Sequence, residues 1–254
     1  MVPAQRDRFA TSLPASAPHA VPGWRRTRGR AILRGVPEFF TDTPLLTERF
    51  DAALHYATAH HAQQLRKGTP IPYAAHLLAV ASLVLEMHGD EDEAIGALLH
   101  DVVEDGGGQA ALTYIEEHFG AHVANIVLAN SDSVTGEEEK APWHERKRAY
   151  IATFSHKSPA ALRVSLADKL HNARSILTDY RAHGDALWAR FGQGKGWATR
   201  VYYRELAAAF EREAPRLGEH AAPAIDELRR VVDAITALAE ERQGPDTRMS
   251  FDWT

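Results

Sequence analysis

From Thr47 onward apolar positions recur at helical spacing: Phe50, Ala53, Leu54 and Ala57 follow the i, i+3, i+4, i+7 rule for one buried face. A compact domain is expected to begin there. A turn from Gly68 to Pro72 precedes a second predicted helix carrying His76, Val80, Leu83, Val84 and Met87, and Gly89 separates it from a third that runs through Ala94, Leu98 and His100 to Val103. Gly106, Gly107 and Gly108 should stop that third helix. Further helices are predicted over 112–119, 121–130 and 143–154, and Ser158 as N-cap with Pro159 at the first helical position opens one that reaches about Tyr180. After Gly192, Gly194 and Gly196, two more are predicted over 197–210 and 223–243. No strand-like alternation competes, so the expected fold class is all-α, a compact multi-helix bundle.

The ends read differently. Residues 1–44 are rich in Pro, Ser, Ala and Arg without periodicity, which describes a disordered or loosely docked tail. Seven arginines there against Asp7, Glu38 and Asp42 give a basic bias, read as a solvated tail in preference to a targeting peptide or polyanion-binding arm. The expected organisation is a tail over 1–44, one helical domain over 45–243 and a polar tail over 244–254.

Composition narrows the chemistry. The formal net charge of −5 speaks against a sequence-wide nucleic-acid footprint, so an anionic ligand must meet a local basic patch. The absence of cysteine excludes disulfides, thiolate metal sites and cysteine nucleophiles, and fits a cytoplasmic location. No apolar run approaches the roughly 20 residues that cross a bilayer, so neither a membrane nor a nucleic acid is expected as partner.

Metal-ligand residue types stand on three predicted helices: His76 on the second, His100 and Asp101 on the third, and Asp168 on the one after Ser158. Among fourteen histidines no single one carries weight, but their surroundings do. Ala97 to Asp105 reads Ala-Leu-Leu-His-Asp-Val-Val-Glu-Asp, so polar groups follow an apolar stretch directly. Glu104 lies four residues after His100 and Asp105 four after Asp101, one helical turn apart in each case. Acids at a helix C-terminus oppose the macrodipole, and burying them requires a partner; a bound cation answers both objections, whereas a solvated acidic helix end answers neither. Likewise Asp168 interrupts an apolar helix, with Asn172 four residues on and Ser175 three beyond, in one polar stripe; His171, one position off it, suits a supporting or packing role.

His100-Asp101 followed by Glu104-Asp105 matches the HD phosphohydrolase signature. Together with Arg66-Lys67-Gly68, His76 and the run Leu166 to Asn172, the sequence resembles the hydrolase domain of the RelA/SpoT homologues over roughly Thr47 to Tyr180. The resemblance implies a small alarmone hydrolase. It implies His76, His100, Asp101 and Asp168 as ligands of one divalent ion, most often manganese, and Glu104 and Asp105 as the groups that position or deprotonate the attacking water. Arg66, Lys67, Asn172 and Ser175 would line the nucleotide site, Arg66 by stacking on the base. The implied reaction is removal of pyrophosphate from the 3′ position of a purine nucleotide such as (p)ppGpp or (p)ppApp. The run Arg66-Lys67-Gly68-Thr69-Pro70-Ile71-Pro72-Tyr73 departs from the commonest alarmone-hydrolase pattern, which alters the loop that approaches the base. An HD enzyme for another nucleotide phosphoester would leave Arg66-Lys67 and Asn172 unused, and a non-catalytic nucleotide sensor predicts damage to the ligand or water-positioning residues.

Overall fold

The computed structural model of the chain describes residues 41, 43–131, 141–191 and 196–244. The tail expected over 1–44 lies outside them except for its last residues, as do Gly192, Gly194 and nearly all of the polar tail. Every regular element among the described residues is helical: α1 (Glu48–His60), α2 (Ala74–Glu86), α3 (Glu91–Leu99), α4 (Gly108–Phe119), α5 (Ala121–Asn130), α6 (Trp143–Ala152), α7 (Pro159–His183), α8 (Gly196–Leu217) and α9 (Ala222–Gln243).

Helix α3 is the buried centre. Glu93 and all residues from Ala94 to Leu99 are withdrawn from solvent, so it is apolar around its whole circumference, as a helix packed on every side must be. At Gly96 an added Cβ would stand 2.7 Å from Ile126 Cγ2 on α5, so this glycine sets how closely the two helices approach. A reciprocal cap starts α3. The Glu93 N–H donates to Asp90 Oδ1 at 2.9 Å and the Asp90 N–H donates to Glu93 Oε2 at 3.1 Å. Arg163 of α7 donates to the other Glu93 oxygen, pinning α3 to the longest helix.

Helix α7 begins as the sequence predicts, with Ser158 Oγ accepting from the Ala161 N–H at 3.1 Å and Pro159 in the first turn. It packs against α2, α3 and α5 along one side and α8 and α9 along the other. It also runs past Tyr180 to His183, ending at Gly184 with φ of 57°.

Two expected helices end elsewhere. The third stops as a regular α-helix at Leu99 instead of Val103, and Val103–Gly107 form a widened π-turn in which the Gly107 N–H reaches back five residues to the Val102 carbonyl at 3.0 Å. Gly106, at φ of 107°, supplies the backbone sign that closes this turn. Helix α8 continues beyond Phe210 through Pro215 to Leu217. The proline falls in the last turn, and the end is held because Leu217 is buried and Arg216 donates to the Phe154 carbonyl at 3.0 Å and to that of Lys157.

Because the cap at Asp90 positions the helix that leads into His100 and Asp101, Asp90→Ala should cost about 1 kcal/mol. Urea unfolding would show this as a lower midpoint at unchanged slope; an unchanged midpoint would mean that Arg163–Glu93 holds the helix end alone.

Candidate metal centre and basic cleft

Three helices deliver four side chains to one point. His76 is in the first turn of α2, His100 and Asp101 directly follow α3, and Asp168 stands in the middle of α7. His76 and His100 are 1% and 2% exposed and Asp168 is 8% exposed. His76 Nε2 lies 3.2 Å from Asp168 Oδ1 and 3.6 Å from Asp101 Oδ2; His100 Nε2 lies 2.9 Å from Asp101 Oδ2 and 3.9 Å from Asp168 Oδ1.

The surrounding bonds orient the imidazoles. His100 Nδ1–H donates to the Ala97 carbonyl at 2.8 Å, which turns its Nε2 into the cluster, 2.9 Å from Asp101 Oδ2. His76 Nδ1 lies 2.7 Å from His171 Nδ1. Burial, then the nearby His76 and Arg66, lower His171 to about 4, and its contact with His76 Nδ1 turns His76 Nε2 into the cluster, 3.2 Å from Asp168 Oδ1. The carboxylates are fastened too. Tyr73 OH donates to Asp101 Oδ2 at 2.5 Å; Lys169 Nζ reaches Asp168 Oδ2 at 2.6 Å and Asn172 Nδ2 donates to Asp168 Oδ1 at 2.5 Å.

The electrostatics describe a trap for positive charge. Burial pulls the His100 imidazole down, but the adjacent Asp101 carboxylate and then Asp168 outweigh it, and His100 is pushed up to about 9. Burial alone would raise Asp101, yet His100 beside it holds it below the usual carboxylate range; Asp168 is held well below that range against burial by Lys169 and His76. His76 is lowered by burial. Two imidazoles and the Asp168 carboxylate, buried and within 4.8 Å of one another, with the partly buried Asp101 carboxylate beside both imidazoles, fit a divalent cation with oxygen and nitrogen ligands and not a closed thiolate site.

Of the acids expected one turn further on, Asp105 still donates its N–H to the Asp101 carbonyl at 2.8 Å, so it does lie one turn beyond. It does so on the π-turn, not on the α3 face that the sequence predicts, because the helix widens after Leu99. Its carboxylate is exposed and accepts from Gln64 Nε2 at 2.7 Å, while Glu104 is half-buried.

Beside the cluster opens a cavity of about 1040 Å³ lined by the 66–73 turn and by α6, α7 and α8. Tyr73, Lys169, His171 and Asn172 belong both to its wall and to the bonds that hold the cluster. Arg66, Lys67, Lys147, Lys169, Arg174 and Arg190 line it against one carboxylate, Asp179, so the local basic patch that the sequence requires for an anionic ligand is present. Arg66 Nη2 donates to Asn172 Oδ1 at 2.8 Å, joining the turn to the Asp168 side of the cluster. Lys67 is exposed on the rim, and the Ser175 hydroxyl donates to the His171 carbonyl at 3.0 Å while its side chain faces the cleft.

Sequence reasoning missed Lys147, Arg174, Arg190 and the aromatic wall of Trp143, Trp197, Tyr202 and Tyr203. No local pattern marks those on α6 and α8, which reach the cleft only by packing; Arg174 lies on α7 beside the Asp168–Asn172 stripe, and Arg190 follows that helix. Tyr73 and Lys169 did carry a signal: Tyr73 precedes His76 by one turn and Lys169 adjoins Asp168. Lys195, in the glycine-rich stretch between Gly192 and Gly196, lies outside the described residues.

A helical domain that gathers imidazoles and carboxylates from three helices beside a basic cleft is of the metal-dependent hydrolase class built around a His-Asp pair. The HD domain family matches residues 53–197, and the chain belongs to that family. The human guanosine-3′,5′-bis(diphosphate) 3′-pyrophosphohydrolase MESH1 is 40% identical over 129 residues, which span 49% of this chain and 67% of the human protein. The guanosine-3′,5′-bis(diphosphate) 3′-pyrophosphohydrolase of Haemophilus influenzae is 35% identical over 124 residues, 46% of this chain and 17% of that much longer protein. A metazoan orthologue of SpoT that hydrolyses ppGpp superposes with a TM-score of 0.54 at 24% identity, covering 80% of this chain and all 100% of that one, a likeness of fold. A crystal structure from Listeria monocytogenes superposes with a TM-score of 0.53 at 26% identity, covering 63% and 97%. No helix among the described residues is long and apolar enough to cross a membrane.

A divalent cation at about 100 times its dissociation constant should stabilise the folded chain by about 2.7 kcal/mol. Asp168→Ala should abolish that stabilisation in thermal melts with and without metal. An equal shift in the variant would remove Asp168 from the centre.

Proposed function

We propose that this chain is a manganese-dependent 3′-pyrophosphohydrolase acting on a hyperphosphorylated purine nucleotide such as (p)ppGpp or (p)ppApp. The observation that carries the reading is the juxtaposition of the buried imidazole–carboxylate centre with a cleft whose charged lining is six lysines and arginines against one aspartate. A compact phosphomonoester needs no cavity of about 1040 Å³, whereas a nucleotide with charged groups at both ends of its ribose does. The related human and Haemophilus enzymes bear the name of this reaction.

In this reading His76, His100, Asp101 and Asp168 hold the ion. When bound, it supplies charge to phosphoryl oxygens and makes water more acidic. The chain's own groups do the rest. Asp105 orients the attacking water and Glu104 accepts its proton as oxygen adds to the phosphorus attached to the ribose 3′ oxygen. The bond from that phosphorus to the 3′ oxygen breaks, pyrophosphate leaves, and the 3′ oxygen takes up the proton received by Glu104 to give a 3′-hydroxyl. Arg66 faces the base, Lys67 the anionic groups, and Asn172 and Ser175 line the ribose side. Because Arg66 is bonded to Asn172 and Asn172 to Asp168, the nucleotide side and the metal side of the site share one hydrogen-bonded support.

Incubating the purified protein with manganese and a nucleotide panel, followed by ion exchange, tests the reaction. Pyrophosphate released from a 3′-pyrophosphorylated nucleotide is expected. Inorganic phosphate from monophosphates would point to another HD phosphoesterase, and binding without products to a sensor. Within the reaction, Glu104→Gln should lower turnover by about 10²- to 10⁴-fold while keeping substrate affinity. Arg66→Ala should weaken nucleotide binding by on the order of 1 to 2 kcal/mol with manganese content unchanged. Single-turnover rates and calorimetry separate the two; wild-type chemistry in Glu104→Gln would overturn its role.

A further inference from the structure

His61 is a histidine that the proposed reaction leaves unused, although it is only 2% exposed and one of its ring nitrogens, Nε2, is buried without a hydrogen-bond partner. Its other nitrogen, Nδ1, lies 2.6 Å from Gln64 Oε1. Gln64 Nε2 in turn donates to Asp105 Oδ2 at 2.7 Å. A carboxylate only accepts, so Asp105 fixes which end of the Gln64 amide faces it; the amide oxygen must then accept from His61 Nδ1–H. That assigns the tautomer and explains why Nε2 is bare. Burial, which lowers the His61 imidazole, is consistent with a neutral ring.

The same ring supports a second acid. His61 stacks on Tyr73 with centroids 4.9 Å apart, and Tyr73 OH donates to Asp101 at 2.5 Å. The backbone ties these together, since the Tyr73 N–H donates to the Gln64 carbonyl at 2.9 Å. Asp105 needs such support more than Asp101 does. It is exposed on the π-turn next to Gly106, at φ −88° and ψ 38°, where no helix face restricts its side chain.

We propose that His61 and Gln64 are positioning residues that aim the Asp105 carboxylate at the attacking water, His61 acting through Gln64 and steadying Tyr73 by stacking. The proposal rests on the role given above to Asp105. Retaining a buried histidine with a bare nitrogen is costly for the core, and its Nδ1–H is the return on that cost: the amide could turn freely without it.

The test uses the full chain loaded with manganese. Gln64→Met keeps volume and removes both hydrogen bonds; it should lower kcat by about 10- to 100-fold with KM and metal content unchanged, the range for losing a group that orients a site residue. His61→Phe keeps the stack on Tyr73 and removes the bare nitrogen, so it should melt no lower than wild type and still lose turnover, an outcome that a merely structural role cannot give. Placed on Asp105→Asn, Gln64→Met should cost nothing further. Wild-type kcat in Gln64→Met, or an equal further loss on Asp105→Asn, would overturn the proposal, and wild-type turnover by Asp105→Asn alone would remove the role of Asp105 and the proposal with it. A readout independent of any substrate is the ring ¹⁵N spectrum, which should show His61 protonated at Nδ1 and bare at Nε2, a state lost in Gln64→Met. Protonation at Nε2 in the wild type would break the relay even if pyrophosphate is released, whereas absence of any pyrophosphate release with the expected spectrum would sink the reaction and leave the linkage standing.

Discussion

The buried Asp168 carboxylate and the partly buried Asp101 carboxylate stand against two buried imidazoles, and the rest of the structure follows from keeping them there. Unsatisfied buried charge is among the most expensive features a fold can contain. Each carboxylate is therefore held by neighbours: Tyr73 donates to Asp101 Oδ2 and Asn172 to Asp168 Oδ1, the same oxygens that face the imidazoles, while Lys169 holds the outer Asp168 Oδ2. Their negative charge pushes His100 up to about 9 against burial, and a divalent cation placed among these groups would meet the same attraction. The trap survives because the helices that carry it are locked by apolar packing: α3 is buried along its length and α7 touches α2, α3 and α5.

The end of α3 is where packing and chemistry meet. Its N-terminus is closed by the Asp90–Glu93 cap, and its C-terminus opens directly onto His100 and Asp101. The partial negative charge of a helix C-terminus attracts a cation and repels bare acids, so the local backbone favours the same occupant as the side chains. Widening the chain into a π-turn after Leu99 frees Glu104 and Asp105 from the helix surface and lets Gln64, forty-one positions earlier, reach Asp105. Three consecutive glycines make this reversal possible, with Gly106 at φ of 107°.

The charge of the cleft is opposite in sign to that of the chain. A formal net charge of −5 coexists with a lining of six cationic side chains because the acids sit elsewhere or in fixed pairs. Arg190 is held by Asp179 at 2.6 Å and Arg174 by both oxygens of Glu227 at 2.7 Å, so these guanidiniums are oriented by partners on α7 and α9 before any ligand arrives. Such preorganisation lowers the conformational cost of binding an anion.

Much of this was legible in the chain by itself. Helical periodicity from Thr47, the Ser158-Pro159 start and the absence of strand alternation determined an all-helical domain, since these signals act over a few residues. The polar interruptions at His100-Asp101 and Asp168-Asn172 marked candidate residues because acids do not follow apolar stretches without a reason. Convergence was another matter: His76, His100 and Asp168 are brought within coordinating reach by the packing of α2, α3 and α7, a contact between distant segments that no local pattern encodes. The π-turn after Leu99, the basic wall from Lys147 to Arg190 and the His61–Gln64–Asp105 chain were likewise decided only in the tertiary structure. Periodicity tells which face of a helix is apolar, and only the assembled core tells what the polar residues on its edge will touch.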